Sequence, residues 1–252
     1  MRKGQKLPIG NQQHQVIVRH LSEVELFKTV WLDCLKCHYH AWKERHVLYK
    51  NIDEDSFMFS LKSGPKMRLE VKWVFGVLSD WSMAGCVDSS ESFTLSPCGL
   101  PVFTAYELLP VFKPTNHQKY LHDLESFLYI LVWVTVHYEP KTWTRRDTPR
   151  SLTTWNLGVP EEVAEWKMKM FFCDFKTVEA EIREGFGCIL ESWIRPLLCL
   201  FTISNLPQPT IDGEIEQQYD LIDTFMAAIG EKSWLGRCIL LAYIDCYFHQ
   251  SQ

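Results

Sequence analysis

The sequence predicts a mainly α chain of the α+β kind, with a small β-hairpin region in its first third. Three observations lead there. Leu121 to His137 is apolar on all sides, which marks a helix surrounded by protein. Residues 21–43 carry Leu21, Val24, Phe27, Val30, Trp31, Cys34, Leu35 and His38 at spacings of three and four, the period of an amphipathic helix. Between these two, His46-Val47-Leu48-Tyr49, Phe57-Met58-Phe59 and Val74 to Leu78 are apolar pieces too short for helices. Gly64-Pro65 punctuates them with a turn, so they read as strands.

Taken in order, residues 1–20 are polar and Gln/His-rich and read as a loose lead-in, and 21–252 read as one domain. Residues 85–101 carry Ser, Gly and Pro and read as a loop. Pro160 followed by Glu161 and Glu162 marks a helix start, with proline in the first turn and acids at the positive end of the dipole. Val163, Trp166, Met170 and Phe171 give that helix its buried stripe. Helical patterns follow at about 186–203, 213–229 and 232–248, and Gly230 suits a helix end. There is no internal repeat and no linker-like composition to split the chain.

The chain's 252 residues are enough to bury roughly three quarters of the unfolded surface. Its 10 Trp, 9 Tyr and 15 Phe supply bulk for that core. A net charge of −5 argues against a phosphate-backbone binder, so no nucleic-acid partner is expected. The longest uncharged apolar stretch, Ser126 to Tyr138 between Glu125 and Glu139, is shorter than the ~20 residues that span a bilayer. No apolar run follows Arg2, Lys3 and Lys6, so no secretory signal and no membrane partner are expected. Nine scattered cysteines then read as free thiols in a reducing compartment, cytoplasmic or nuclear.

Three ordered segments carry a resemblance. The first runs from Val47 through Asn51 and Ser56 to Phe59. The second is Gly76-Val77-Leu78-Ser79-Asp80-Trp81-Ser82-Met83-Ala84. The third runs from Gly99 to Leu109 and on through His122-Asp123-Leu124-Glu125-Ser126-Phe127 to Trp133. Strand, loop, strand, Asp-aromatic, loop, Ala-x-Glu and an apolar helix in that order resemble the C-terminal lobe of a protein kinase. The run His122 to Phe127 and the run Phe103-Thr104-Ala105-Tyr106-Glu107 are similar to the fungal-type protein kinase family in particular. The resemblance covers roughly residues 20–200.

The resemblance implies roles for named positions and shows departures at several of them. A kinase catalytic loop reads His-Arg-Asp-x-x-x-x-Asn. Its Asp accepts the substrate hydroxyl proton and its Asn holds a metal ion. Those four positions hold Tyr49, Lys50, Asn51 and Ser56 here. An amide at 51 is no general base, a loss worth ~10²–10⁴ in rate. Ser56 is a shorter and weaker metal ligand than an asparagine. Asp53 and Asp55 stand nearby and read as solvated loop carboxylates. Asp80 matches the Mg²⁺-holding Asp of Asp-Phe-Gly, with Trp81 and Ser82 in place of Phe and Gly. The resemblance also makes Asp123 a structural acceptor for the catalytic-loop backbone. It pairs Glu107 with an arginine, for which Arg195 and Arg237 are the candidates.

A kinase N-terminal lobe takes ~80 residues with a glycine-rich loop and a Lys-Glu pair. Some 20 residues precede the first helix, and Gly4 and Gly10 lack the Gly-x-Gly-x-x-Gly spacing. The expectation is therefore a C-terminal lobe with its N-terminal lobe absent, acting as a catalytically degenerate pseudokinase scaffold. A protein partner is expected on the exposed face where an N-terminal lobe would sit. The alternatives are a serine/threonine phosphotransferase whose missing lobe comes from elsewhere, and a gene fragment without function. No cofactor is expected, and ATP with magnesium enters with the phosphotransferase alternative alone.

Other constellations read as ordinary. Cys34, Cys37, His38 and His40 form Cys-x-x-Cys-His-x-His, but the first three share a helix face and no second Cys pair follows, so core cysteines are favoured over zinc. No Gly-x-Ser-x-Gly elbow supports a nucleophile. Ser89, Ser90, Ser92, Thr94 and Ser96 lie where an activation loop would be, with Lys50 as a charge partner if phosphorylated, and otherwise read as a polar loop. Lys141, Arg145, Arg146 and Arg150 read as a solvated basic run.

Overall fold

Helix α1 (Glu23–Arg45) is the first described helix, starting and ending two residues later than the expected 21–43. The computed structural model describes residues 5–6, 23–63, 72–86, 100–110, 118–172, 175–202 and 222–230. Residues 213–221 of the 213–229 helical pattern, the 232–248 pattern, the Gly64-Pro65 turn and Ser89 to Ser96 lie outside them. α1 ends where His46 takes a positive φ of 51° and returns its N–H to the Trp42 carbonyl at 2.8 Å. That left-handed residue turns the chain into strand β2 (Val47–Leu48).

Two further strands, β3 (Phe57–Ser63) and β4 (Lys72–Leu78), form an antiparallel hairpin in the register Phe57 opposite Leu78 to Ser63 opposite Lys72. Both are longer than the apolar cores read from the sequence. Gln5–Lys6, here β1, pairs with Met58 and Phe59 on the other edge of β3, so β3 is central. Gly85–Cys86, read as loop, is strand β5 and pairs antiparallel with β2. The reason is backbone accounting: Val47 and Leu48 are buried, and their N–H and C=O groups need partners that the hairpin does not supply.

β4 lies directly on α1, and Gly76 makes the approach possible. A Cβ at this position would sit 2.2 Å from the Val30 carbonyl oxygen, inside the helix backbone itself. The Gly76 N–H instead donates to Asp33 Oδ2 at 3.1 Å, tying strand to helix. Burial raises the Asp33 carboxyl above the usual range, while that N–H pulls it down.

Helix α2 (Tyr120–His137) runs through the middle of the molecule, and every residue in it except Leu121 is buried. Trp31 of α1 packs edge-on against Phe127 and donates its indole N–H to the Phe127 carbonyl at 3.2 Å. On the far side, α3 (Thr153–Leu157) and α4 (Pro160–Phe172) close the core, with Trp155 stacked on Trp166 at 4.6 Å. Beyond α5 (Lys176–Glu179), the run expected at 186–203 is a helix broken in register: α6 (Gly187–Ile189), a π turn over Leu190–Ile194, then α7 (Arg195–Phe201). Pro196 has no N–H to donate back to the preceding turn, and the wider π turn absorbs the fault. Residues 222–228 form a further helical stretch that ends at Gly230, φ 80°. The described chain is thus mostly helical with a small sheet.

Gly76→Ala is expected to destabilise the fold by about 1–3 kcal/mol, because backbone and not a flexible side chain blocks the methyl. A urea midpoint equal to wild type would show that α1 and β4 separate freely.

His137 supplies a pH dependence. It is buried, its Nδ1 faces the Trp133 carbonyl at 3.0 Å and its Nε2 faces the Thr148 hydroxyl at 3.2 Å. Burial pushes its pKa down to about 4, with the Trp133 carbonyl raising it and Arg145 and Arg146 lowering it. An unfolded histidine binds a proton near pH 6.5 that the folded one refuses until about pH 4. Stability from this group is therefore complete above about pH 6.5 and falls by up to about 3 kcal/mol as pH drops toward 4. Urea midpoints measured between pH 7 and 4.5 should fall more steeply for wild type than for His137→Gln.

Candidate functional site

Asp123, in the first turn of α2, is 1% exposed and gathers the loop that follows β2. Its Oδ2 accepts the Tyr49 N–H at 2.8 Å and lies 2.8 Å from His38 Nε2. Its Oδ1 accepts the Lys50 N–H at 3.3 Å and the Gln118 side-chain N–H at 2.7 Å. A carboxylate only accepts, so His38 carries its proton on Nε2. These donors come from α1, from the loop and from the residues just before α2. Lys50 reaches its place with a positive φ of 71°, a conformation that costs energy in a residue with a Cβ.

The same loop is tied down again four residues on. Glu54 accepts the Trp133 indole N–H at 2.5 Å and the Tyr138 hydroxyl at 3.2 Å on Oε2, and the Arg145 guanidinium at 2.9 Å on Oε1. Arg145 also lies over the Trp133 ring, 5.4 Å from its centroid. The basic run is therefore partly committed within the chain: Arg146 holds Glu181, and Arg145 holds Glu54.

Between these two anchors the loop makes a short 3₁₀ turn, Glu54–Ser56, capped by Asp53. Asp53 Oδ1 accepts both the Ser56 N–H and the Ser56 hydroxyl at 2.8 Å, and Ser56 Oγ accepts the Asp53 N–H at 3.1 Å. Ser56 Oγ also lies 3.3 Å from the Asn51 carbonyl. Ser56 is buried, and its hydroxyl is spent on a reciprocal cap. Asp53, read from the sequence as a solvated carboxylate, is instead that cap, while Asp55 is exposed.

Asp80 follows β4 and is exposed, at a positive φ of 59°. Its Oδ1 accepts the Ser82 hydroxyl at 2.6 Å, and it caps the 3₁₀ turn Trp81–Met83. The Tyr49 hydroxyl donates to the Ser79 carbonyl, and the Tyr49 ring meets Trp81 edge-on at 4.9 Å. The two loops that hold Lys50, Asn51, Ser56 and Asp80 are thus brought together by Tyr49.

Glu107 sits in the 3₁₀ turn Tyr106–Leu108, with Oε2 3.4 Å from His122 Nε2. His122 Nδ1 accepts the Lys119 N–H at 3.0 Å, so Nε2 bears the proton facing Glu107. A hydrogen bond from His122 holds the Glu107 carboxyl below its usual range, against the pull of burial. Arg195 is engaged by Glu179 at 2.5 Å and Glu191 at 3.1 Å, and Arg237 lies outside the described residues.

Sequence reading passed over Glu125 and Lys167. Glu125, buried in α2, accepts the Tyr106 N–H at 2.8 Å and the Tyr129 hydroxyl. Lys167, fully buried in α4, donates to the Pro101 carbonyl at 2.9 Å and to the Thr104 carbonyl. A signal for Lys167 was present: it stands four residues after Val163 and three before Met170, in phase with the buried stripe.

These donors fit a magnesium–nucleotide poorly. Mg²⁺ wants one or two carboxylates with well-held phosphates. Here the exposed Asp80 carboxylate leans on its own turn, and the Ser56 hydroxyl is closed into a cap. Among the described residues no group of three or more His, Cys, Asp or Glu side chains is placed to hold a metal, and that includes Cys34, Cys37 and His38. No described helix is long and apolar enough to cross a membrane.

Comparison with known proteins adds one finding. A family model described as Fungal protein kinase matches residues 11–135. No curated protein and no solved structure matches the chain.

Asp123→Ala would strand four donors, two of them in buried bonds, and is expected to lower stability by about 1–3 kcal/mol. Chemical denaturation reads the loss, and an unchanged midpoint would remove Asp123 from its anchoring role.

Proposed function

Residues 11–135 belong to the fungal protein kinase family, and from that premise we propose that the chain is a catalytically degenerate member acting as a protein-binding scaffold. The observation that carries the reading is the closed cap between Asp53 and Ser56. The position that a kinase gives to a metal-binding asparagine is occupied here by a hydroxyl that already donates to the Asp53 carboxylate and accepts the Asp53 N–H. Beside it, Asn51 offers an amide where proton transfer needs a base. Phosphoryl transfer depends almost entirely on positioning and charge, so the two losses fall on the same step.

What the chain keeps is shape. Asp123, Glu54 and Tyr49 hold the loop in place, although the loop lacks its chemistry. The kinase-like C-terminal lobe belongs to this reading, as does a protein partner on the face around Asp80. Met83 and Ser82 stand exposed beside it.

Thermal melting with and without millimolar ATP and Mg²⁺, alongside a radiolabel transfer assay, tests the proposal. No rise in midpoint and no transfer are expected. Nucleotide present at 100 times its Kd would add ~2.7 kcal/mol and shift the midpoint visibly. A rise that Asp80→Ala abolishes, or transfer that Asn51→Asp does not improve, would overturn the reading.

A further inference from the structure

The basic run Lys141, Arg145, Arg146 and Arg150 has no part in the function proposed above, and an exposed serine stands at its end. Ser151 lies in the 3₁₀ turn Arg150–Leu152, and its hydroxyl donates to Glu181 Oε1 at 2.6 Å. The other oxygen of that carboxylate is 3.7 Å from Arg146 Nη2, so serine and guanidinium share one anion. Arg146 does not depend on that anion for its position. Its Nε donates to the Val136 carbonyl at 2.5 Å and its Nη2 to the Glu181 carbonyl at 2.6 Å. A second guanidinium is close by. Burial first, and then the positive charge of Arg183, lowers Arg146 from its ordinary range, while Glu181 and Glu139 raise it. Arg183 Nε is buried, makes no hydrogen bond and lies 3.7 Å from Glu139 Oε2.

A serine beside two mutually repelling guanidiniums is placed to carry a stronger anion than a carboxylate. A phosphoryl group on a serine brings a charge of about −1.5 to −2 and three acceptor oxygens. On Ser151 Oγ it would stand where the Glu181 carboxylate stands now, and two anions repel at such a contact. The Glu181 side chain, 28% exposed, is free to turn to solvent. Arg146 stays, because two backbone carbonyls hold it. A guanidinium fork matches phosphate oxygens, and Arg183 has its Nε to give. The neighbouring threonines are placed less well. The Thr148 hydroxyl is bonded to His137 and Asn156, and Thr142 and Thr144 pair with one another ahead of the arginines. Thr153 Oγ1 turns back to the Pro149 carbonyl at 3.4 Å.

We propose that Ser151 is a phosphorylation site, modified by a separate serine kinase that reads arginines beside its target, and that Arg146 and Arg183 then hold the phosphate in place of Glu181. The donor is ATP on that other enzyme, so the inference does not rest on the scaffold reading. The bond from Ser151 Oγ to the γ-phosphorus forms and the bond from that phosphorus to the β,γ-bridging oxygen breaks. ADP leaves with the electron pair, and the hydroxyl proton passes to the general base of the modifying kinase. Arg145, Arg146 and Arg150 supply the charge pattern that such an enzyme selects. Once in place, the phosphate ties the turn at 150–152 to the end of α2, where Arg146 sits on the Val136 carbonyl, and to Arg183 beyond α5. Loops are ordered in this way when charge-assisted bonds replace a single hydroxyl contact.

The whole folded chain, incubated with ATP, Mg²⁺ and an arginine-directed serine/threonine kinase, tests the site, with peptide mass spectrometry to locate the phosphate. One phosphate on Ser151 is expected, and Ser151→Ala should abolish it. The receiver is read by ³¹P NMR titration of the phosphorylated chain. A free phosphoserine takes its second charge near pH ~6. In the folded chain that step should come lower by about half a pH unit or more, because adjacent cations favour the dianion. Arg183→Met should move the step back up. If that variant does not fold, Glu181→Gln is the second probe, and removing the competing anion should lower the step further. Absence of phosphate, or phosphate on Thr148 or Thr153 in place of Ser151, overturns the proposal. So does a step equal to that of the same phosphoprotein unfolded in urea, or one that neither Arg183→Met nor Glu181→Gln moves.

Discussion

A carboxylate buried to 1% exposure has to be surrounded by donors, and in this molecule Asp123 collects them from three directions. His38 comes from α1, the Tyr49 and Lys50 amides from the loop after β2, and Gln118 from the approach to α2. Each donor limits where its own element lies. α1 presents His38 toward the start of α2, and the loop turns inward at Lys50 despite a positive φ. Much of the arrangement of the first half of the chain follows from satisfying that one charge.

The residues that keep shape and the residues that would perform chemistry have parted company here. Tyr49 bridges to the Ser79 carbonyl, Glu54 anchors on Trp133, and Gly76 lets β4 touch α1. These are contacts that position loops. Asn51 and Ser56 stand within that framework; Asn51 carries an amide and no titratable base, and the Ser56 hydroxyl is closed into the Asp53 cap. The match of residues 11–135 to a fungal protein kinase family model speaks to the family, and a fold alone does not decide a reaction.

A buried lysine and a buried glutamate, Lys167 and Glu125, perform for segment 100–109 what Asp123 performs for the loop after β2. The two sites differ in chemistry. Asp123 is met by uncharged amide donors and by a histidine, whereas Lys167 meets carbonyls and a ring. In both cases a charge on a buried helix face reaches backbone groups of an irregular segment. That is how loops without regular hydrogen bonding acquire fixed positions.

The sequence alone determined what repeats along the chain. The spacing in 21–43, the apolar run from Leu121 to His137 and the Pro160-Glu161-Glu162 start are local patterns, and helices formed on all three. The run His122 to Phe127 was also legible, and it pointed to the family. Only the tertiary structure decided the partners. That Gly85–Cys86 pairs with β2, that Glu54 meets Trp133 and that Arg195 goes to Glu179 depend on which groups meet after packing. The π turn before Pro196 and the role of Lys167 belong with these. Helical phase places a residue on the inner face, but what it meets there comes from elements tens of residues away. A single chain's periodicity carries no record of those distances, because long-range contacts are set by the satisfaction of buried backbone and charge and not by local propensity.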